Sequence, residues 1–279
     1  MSKIDPKNLI DKNPIFESLF APLYFKASET KRLNPIVKDP KAVETIDSLD
    51  YDFSYFEKNT SGQFLISVRT KILDDQVSEF INGSENPVII NLGSGLDTRY
   101  SRLHSQKIKY WYEIDLWEVI EFRNFFFPDT ENHKSIGKSV LDYSWIEDIY
   151  IDPSCTYLFV VEGLLMYFGE NEIKDLFNQI SNNFPSSVML CEVFHTKLVN
   201  YNVKNKENNK DISFKWGISD TKDMNSLHSG ITIENEWAMF DYHKKRQKIF
   251  VRLLVKISPK FRNMVKIIKL KFNKSHTKN

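Results

Sequence analysis

Between residues 87 and 193 the chain alternates short apolar runs with segments whose apolar residues return every three or four positions. The runs at 87–92, 108–114, 134–140, 156–162 and 186–193 have the length and composition of buried strands. Helices are predicted between them near 97–104, 116–126, 143–149 and 170–183. Strands and helices alternating at this pitch imply right-handed crossovers and a parallel sheet. Upstream, residues 8–84 look helical and irregular, punctuated by Pro14, Pro22, Pro35 and Pro40. Within them, Phe64, Leu65, Val68, Ile72, Leu73, Val77 and Phe80 have helical spacing. Downstream, the polar stretch Asn200 to Lys210 has no apolar period and reads as an exposed loop or lid connection. A small strand is expected at 230–233, and a helix at 242–257 with Ile249, Phe250, Leu253, Leu254 and Ile257 on one face. Pro259 ends that helix, and a last strand follows at 265–272.

A chain of 279 residues with 41% hydrophobic and 27% charged positions can form one large α/β domain with a cap. No apolar stretch follows the charged start, so no secretory signal is expected, and no run reaches the roughly 18 residues of a membrane span. Cys155 and Cys191 read as reduced core residues, which points to the cytoplasm. The six histidines have no metal-ligand spacing, and no metal is expected. Charge is polarised. Residues 242–279 carry 13 Lys or Arg and no acid, whereas residues 1–241 carry a formal charge of −12. The plain explanation is a basic element against an acidic body; the sharper one is a surface for anionic membranes, nucleic acid or an acidic partner. Aromatic residues are not interleaved with these cations as on a single-strand platform, and nucleic acid is not the expected partner.

The chemistry gathers at strand ends. Asn91-Leu92-Gly93-Ser94-Gly95-Leu96-Asp97-Thr98-Arg99 follows the apolar run Val88-Ile89-Ile90. Two glycines two apart let the backbone turn sharply and approach a ligand closely. Asp115 falls 20 residues after Gly95, at the end of the next run, where an acid accepts both ribose hydroxyls of a nucleoside cofactor. The third glycine of a dinucleotide fingerprint is replaced by Thr98. This favours S-adenosylmethionine, which carries no phosphates, over NAD.

The stretches Gly93 to Arg99, Trp111-Tyr112-Glu113-Ile114-Asp115-Leu116 and Val161-Glu162-Gly163-Leu164-Leu165-Met166-Tyr167 resemble, in order and spacing, one family. It is the S-adenosylmethionine-dependent O-methyltransferases of the leucine carboxyl and polyketide type. Lys26-Ala27-Ser28-Glu29-Thr30, Lys38-Asp39-Pro40 and Phe214 to Asp220 add to the likeness, which spans about residues 20–260. The resemblance implies a class I methyltransferase core: an α/β, Rossmann-like, doubly wound, mostly parallel seven-stranded sheet. Residues 1–84 would form a helical cap segment and residues 85–279 the cofactor-binding core, with a lid insertion at about 195–230.

By the same resemblance, Gly93 and Gly95 line the methionine part of the cofactor and Asp115 takes the ribose. Leu141 and Asp142 lie near the adenine, although Asp142 is equally suited to cap the next helix. Glu162 meets the donor's ammonium or the acceptor, and Tyr167 faces the acceptor or the core. Arg69 and Lys26 meet the donor's carboxylate, and Arg69, through its planar fork, also meets the acceptor's carboxylate where the acceptor is an acid. Asp97 and Arg99 pair locally to fix the loop. Asn91 departs from the acid usual two residues before the first glycine. His195 stands where a base for a hydroxyl acceptor could sit, or as a loop histidine. The expected reaction is in-line methyl transfer to a hydroxyl or carboxylate of a small molecule or peptide terminus. Two rivals are an NAD-dependent oxidoreductase and a non-catalytic adaptor that binds an acidic partner through its basic C-terminal segment.

Overall fold

The structure, a computed structural model, describes residues 3–12, 14–104, 107–199, 202–203 and 212–273. Its strands are β1 (Pro87–Leu92), β2 (Tyr110–Asp115), β3 (His133–Gly137), β4 (Thr156–Val161), β5 (Val188–Phe194), β6 (Asn202–Val203), β7 (Ile212–Ser213), β8 (Ile231–Ala238) and β9 (Val265–Phe272). Seven of them form one sheet in the order β3-β2-β1-β4-β5-β9-β8, and β6 pairs with β7. The first five are parallel, while β9 runs antiparallel to both β5 and β8. Strand order reverses between β1 and β4, which opens a crevice at their carboxyl ends.

The α-helices are α1 (Lys7–Lys12), α2 (Phe20–Thr30), α3 (Pro40–Ser48), α4 (Ser54–Glu57), α5 (Thr60–Gly83), α6 (Arg99–Leu103), α7 (Trp117–Arg123), α8 (Glu170–Asn183), α9 (Ile249–Ile257) and α10 (Pro259–Arg262). All of β1 is buried because helices cover both faces of the sheet, and this is why the central strands read as continuous apolar runs. On one face α5 packs Val68, Ile72, Leu73 and Val77 against Ile89, Leu158 and Val160. On the other, α8 packs Ile173, Leu176, Phe177 and Ile180 against Val88, Ile90 and Phe159. A third cluster joins Phe20, Leu23 and Phe25 of α2 to Val119, Phe122 and Phe126 at α7. That contact holds the N-terminal helices over the carboxyl edge. Asp39 fixes the start of α3 by accepting from the Ala42 amide at 2.9 Å, with Pro40 in the first turn.

Several elements differ from expectation. The helix expected at 143–149 is a 3-10 turn, Tyr143–Asp148, pinned by buried Trp145, whose indole N–H donates to the Val140 carbonyl at 3.1 Å. The strand expected at 230–233 continues to Ala238, because an edge strand keeps pairing with β9 while its outward residues remain polar. The helix expected at 242–257 is broken. His243 adopts a left-handed backbone, a 3-10 turn spans Lys244–Arg246, and α9 starts only at Ile249. The Gln247 side chain holds the break by donating to the carbonyls of Phe240 and Tyr242. Cys191 is buried on β5, but Cys155 is half-buried just ahead of β4. Of the polar loop, residues 200, 201 and 204–211 lie outside the described residues.

Candidate active site

Gly93 and Gly95, at the end of β1, have φ of 66° and 50°, a backbone that L side chains rarely adopt. The Gly93 and Ser94 amides both donate to the Ile114 carbonyl, at 2.8 and 3.1 Å, which turns the loop back onto β2. A Cβ on Gly93 would lie 2.8 Å from Leu164 Cδ1, and one on Gly95 2.9 Å from Leu19 Cδ2. The loop thus passes between Leu164 and Leu19 with no room for side chains. The Gly95 amide donates to Asp115 Oδ2 and the Leu116 amide to Oδ1, each at 2.7 Å. Burial pushes the Asp115 carboxyl up to about 6, although these two amides pull it down.

Around this loop lies a buried ionic network. Glu162, the residue after β4, receives Arg69 Nη2 on Oε1 and Arg99 Nη2 on Oε2, both at 2.5 Å. Arg69 also reaches Glu192 Oε2 at 2.8 Å, and that oxygen accepts the Gly163 amide at 2.9 Å. Asp97 pairs with Arg99 and, at 3.3 Å, with Lys26 Nζ from α2. Arg99 and Arg102 both contact Asp74 of α5. Beneath them, Asn91 Nδ2 bridges Asp97 and Glu113, and Arg123 joins Glu113 to the carbonyls of Gly95 and Asp97.

The pairing has electrostatic consequences. Burial opposes the charge on Glu162, but Arg69 and Arg99 prevail and lower its carboxyl. Burial likewise works against Asp97, yet Arg99, Lys26 and Arg102 hold it far below the usual carboxylate range. For Glu192 burial wins over Arg69 and raises the carboxyl. Burial also raises the Tyr167 phenol, with Glu192 acting in the same direction.

Lys26, Arg69, Gly93, Gly95, Glu162 and Tyr167 all line one cavity of about 250 Å³, so the structure brings six of the expected site residues together. Asp115 borders it through its bond to the Gly95 amide. Met166, Phe194 and Phe214 form an apolar wall beside Tyr167, whose ring meets Phe214 edge-on at 5.7 Å. Three expected residues lie elsewhere. Asp142 is exposed and accepts from the Ser144 amide at 3.1 Å, the capping role, and neither it nor Leu141 lines this cavity. His195 is also outside the lining. Its Nδ1 accepts from the Lys197 amide, and burial together with Lys197, Lys260 and Lys266 lowers its pKa. Asp97 and Arg99 do pair, but within the larger network rather than alone.

Sequence reasoning passed over Glu192, Glu113, Asp74 and Arg123. The available signal was an acid inside an apolar run, as in Val188-Met189-Leu190-Cys191-Glu192-Val193. Such an acid is costly to bury without a partner, so a cation from another element had to meet it.

A seven-stranded sheet of this order, with a glycine loop after β1 and an acid closing β2, defines a class I methyltransferase that uses S-adenosylmethionine. Residues 11–181 match the family of leucine carboxyl methyltransferases, and the chain belongs to that family. It is 26% identical over 228 residues to the tetracenomycin polyketide synthesis O-methyltransferase TcmP of Streptomyces glaucescens, covering 81% of this chain and 84% of that one. It is 32% identical over 144 residues to a putative S-adenosyl-L-methionine-dependent methyltransferase of Mycolicibacterium gilvum, 47% of each chain. Among solved structures, a DUF574 family protein from Streptomyces avermitilis superposes with a TM-score of 0.55 at 9% identity, over 92% of this chain and 97% of that one.

The residues at hand fit the cofactor. Arg69 Nε and Ser94 Oγ are buried at the cavity without a hydrogen-bond partner among the described residues. The two glycines leave a cradle that side chains would fill.

Proposed function

We propose that this chain methylates an oxygen that reaches the site already ionised, a carboxylate or an acidic phenol on a flat, largely apolar small molecule. A peptide terminus would offer the same carboxylate. One observation carries this reading: the titratable groups lining the cavity make poor general bases. Glu162 and Asp97 are held low by arginines, Tyr167 is held high by burial, and Lys26 and Arg69 are cations. A base for a neutral hydroxyl needs a pKa near the working pH, so an acceptor that arrives as an anion suits this lining better. The aromatic wall of Tyr167, Phe194 and Phe214 favours a flat acceptor. The polyketide O-methyltransferase among the relatives is consistent with that class.

S-adenosylmethionine supplies an activated methyl on a sulfonium. In this reading the chain's residues chiefly position. The backbone at Gly93 and Gly95 admits the methionine part, and Arg69 and Lys26 compete for its carboxylate. Glu162 would take its ammonium. Asp115, held by two amides, would accept the ribose hydroxyls, with Leu141 and Asp142 toward the adenine. Aligning nucleophile, methyl and sulfur can supply on the order of 7 to 11 kcal/mol in the best cases. The N-terminal helical segment, 1–84, and the 195–230 insertion would cover the acceptor; among the described residues of the insertion, Phe214 lines the cavity.

The test is transfer of a labelled methyl to a panel of aromatic acids and phenols. Products released by mild alkali are esters, and stable ones are ethers. Methylation confined to amines or thiols would refute the proposal.

A further inference from the structure

The helix α9 turns its apolar side away from the protein. Of its nine residues only Val255 is buried, while Ile249 is 75% exposed, Ile257 76%, Phe250 59% and Leu253 55%. At 3.6 residues per turn, Ile249, Leu253, Ile257, Phe250 and Leu254 share an arc of about 140°, opposite Val251 and Val255. Arg252 and Lys256 follow along one border of that arc. Neither has a carboxylate partner among the described residues, and the same holds for Lys245, Lys248 and Lys260. Other cations of the segment are neutralised: Arg246 by Glu29, Arg262 by Asp241 and Lys266 by Glu236.

We infer that α9 docks on an anionic lipid bilayer, its apolar arc entering the boundary between headgroups and acyl chains. Arg252, Lys256 and the lysines at both ends of the helix then meet lipid phosphates. An apolar face bordered by unpaired cations is the signature of a helix lying in such an interface. Charge decides against an isologous contact with a second copy of the chain. Residues 242–273 contain no acid, so an isologous contact would press two cationic strips together. A cleft of about 380 Å³ beside α9, walled by Phe64, Phe240, Phe250 and Phe261, adds apolar surface at the same place.

The test is cosedimentation of the full chain with phosphatidylcholine vesicles, with and without roughly 30% phosphatidylglycerol. Binding is expected only to the anionic vesicles and should weaken with salt. Leu253→Asp with Ile257→Asp should reduce it at least about tenfold, as should Arg252→Gln with Lys256→Gln. Calorimetric affinity for S-adenosylhomocysteine, unchanged in both double variants, establishes that they fold. No binding to anionic vesicles at low salt would overturn the proposal. Binding that ignores the apolar changes would assign a purely ionic surface and overturn it too. A dimer in sedimentation that Leu253→Asp dissolves, without vesicle binding, would make a second copy the occupant.

Discussion

At the carboxyl edge of the sheet, Arg99 meets Asp74, Asp97 and Glu162 at once, and no more than 1% of its side chain is exposed. On α9, Arg252 and Lys256 are exposed and meet no carboxylate among the described residues. The same side-chain chemistry is thus used under two opposite constraints. A cation removed from water must be paired, and removing its partner leaves an uncompensated charge. A cation at the surface gains little from pairing, so selection is free to leave it available for an external anion. The apolar residues divide in the same way: those of α5 and α8 are covered, and those of α9 are not.

The strongest way to break the contrast is Glu162→Gln. It leaves Arg69 and Arg99 each short of a charged partner and should cost about 3–5 kcal/mol of stability together with most activity. Thermal unfolding and turnover assays would measure the two. If the protein melts as wild type does, the network is a bystander. Next comes Asp115→Ala, which should weaken S-adenosylhomocysteine binding roughly 10- to 100-fold by calorimetry through loss of about 1–3 kcal/mol of hydrogen bonding. Unchanged affinity would remove Asp115 from the site.

Asp115 also predicts a pH effect. Because its carboxyl is raised from 3.8 to about 6 in the fold, the native chain binds a proton there that the unfolded chain has released within that window. The group therefore costs stability above about 6 and nothing below 3.8. Cofactor affinity should fall as pH drops through about 6, and Asp115→Asn should flatten that profile. The smallest effect is expected on α9. Leu253→Asp should change stability by less than about 0.5 kcal/mol, whereas Val255→Asp should cost several times more. Equal losses would mean that α9 is packed on both sides.

The sheet was legible because burial on both faces writes each central strand as an apolar run, and the glycine loop because its backbone excludes side chains. The α9 face was legible as a face but not in its direction. Helical period reports that Ile249, Leu253 and Ile257 align, not whether protein or solvent lies opposite. The ionic network stayed hidden because its partners lie far apart in sequence, with Arg69 and Glu192 123 residues apart. At Asp142 the local half of the reading was the legible one: it makes the capping contact with the Ser144 amide that its sequence position offers.

Sheet order also dictates a schedule for biosynthesis. The strand β9 is inserted between β5 and β8, although it is made after both. Until residue 272 has left the ribosome, β5 presents an open edge and β8 has nothing to join. The nascent chain must hold a nearly complete cofactor fold with one side unsealed, the kind of exposed edge that invites strand addition from another chain. A ribosome paused before residue 265 would therefore display a sticky, unfinished sheet, and release of a single strand, β9, would seal it.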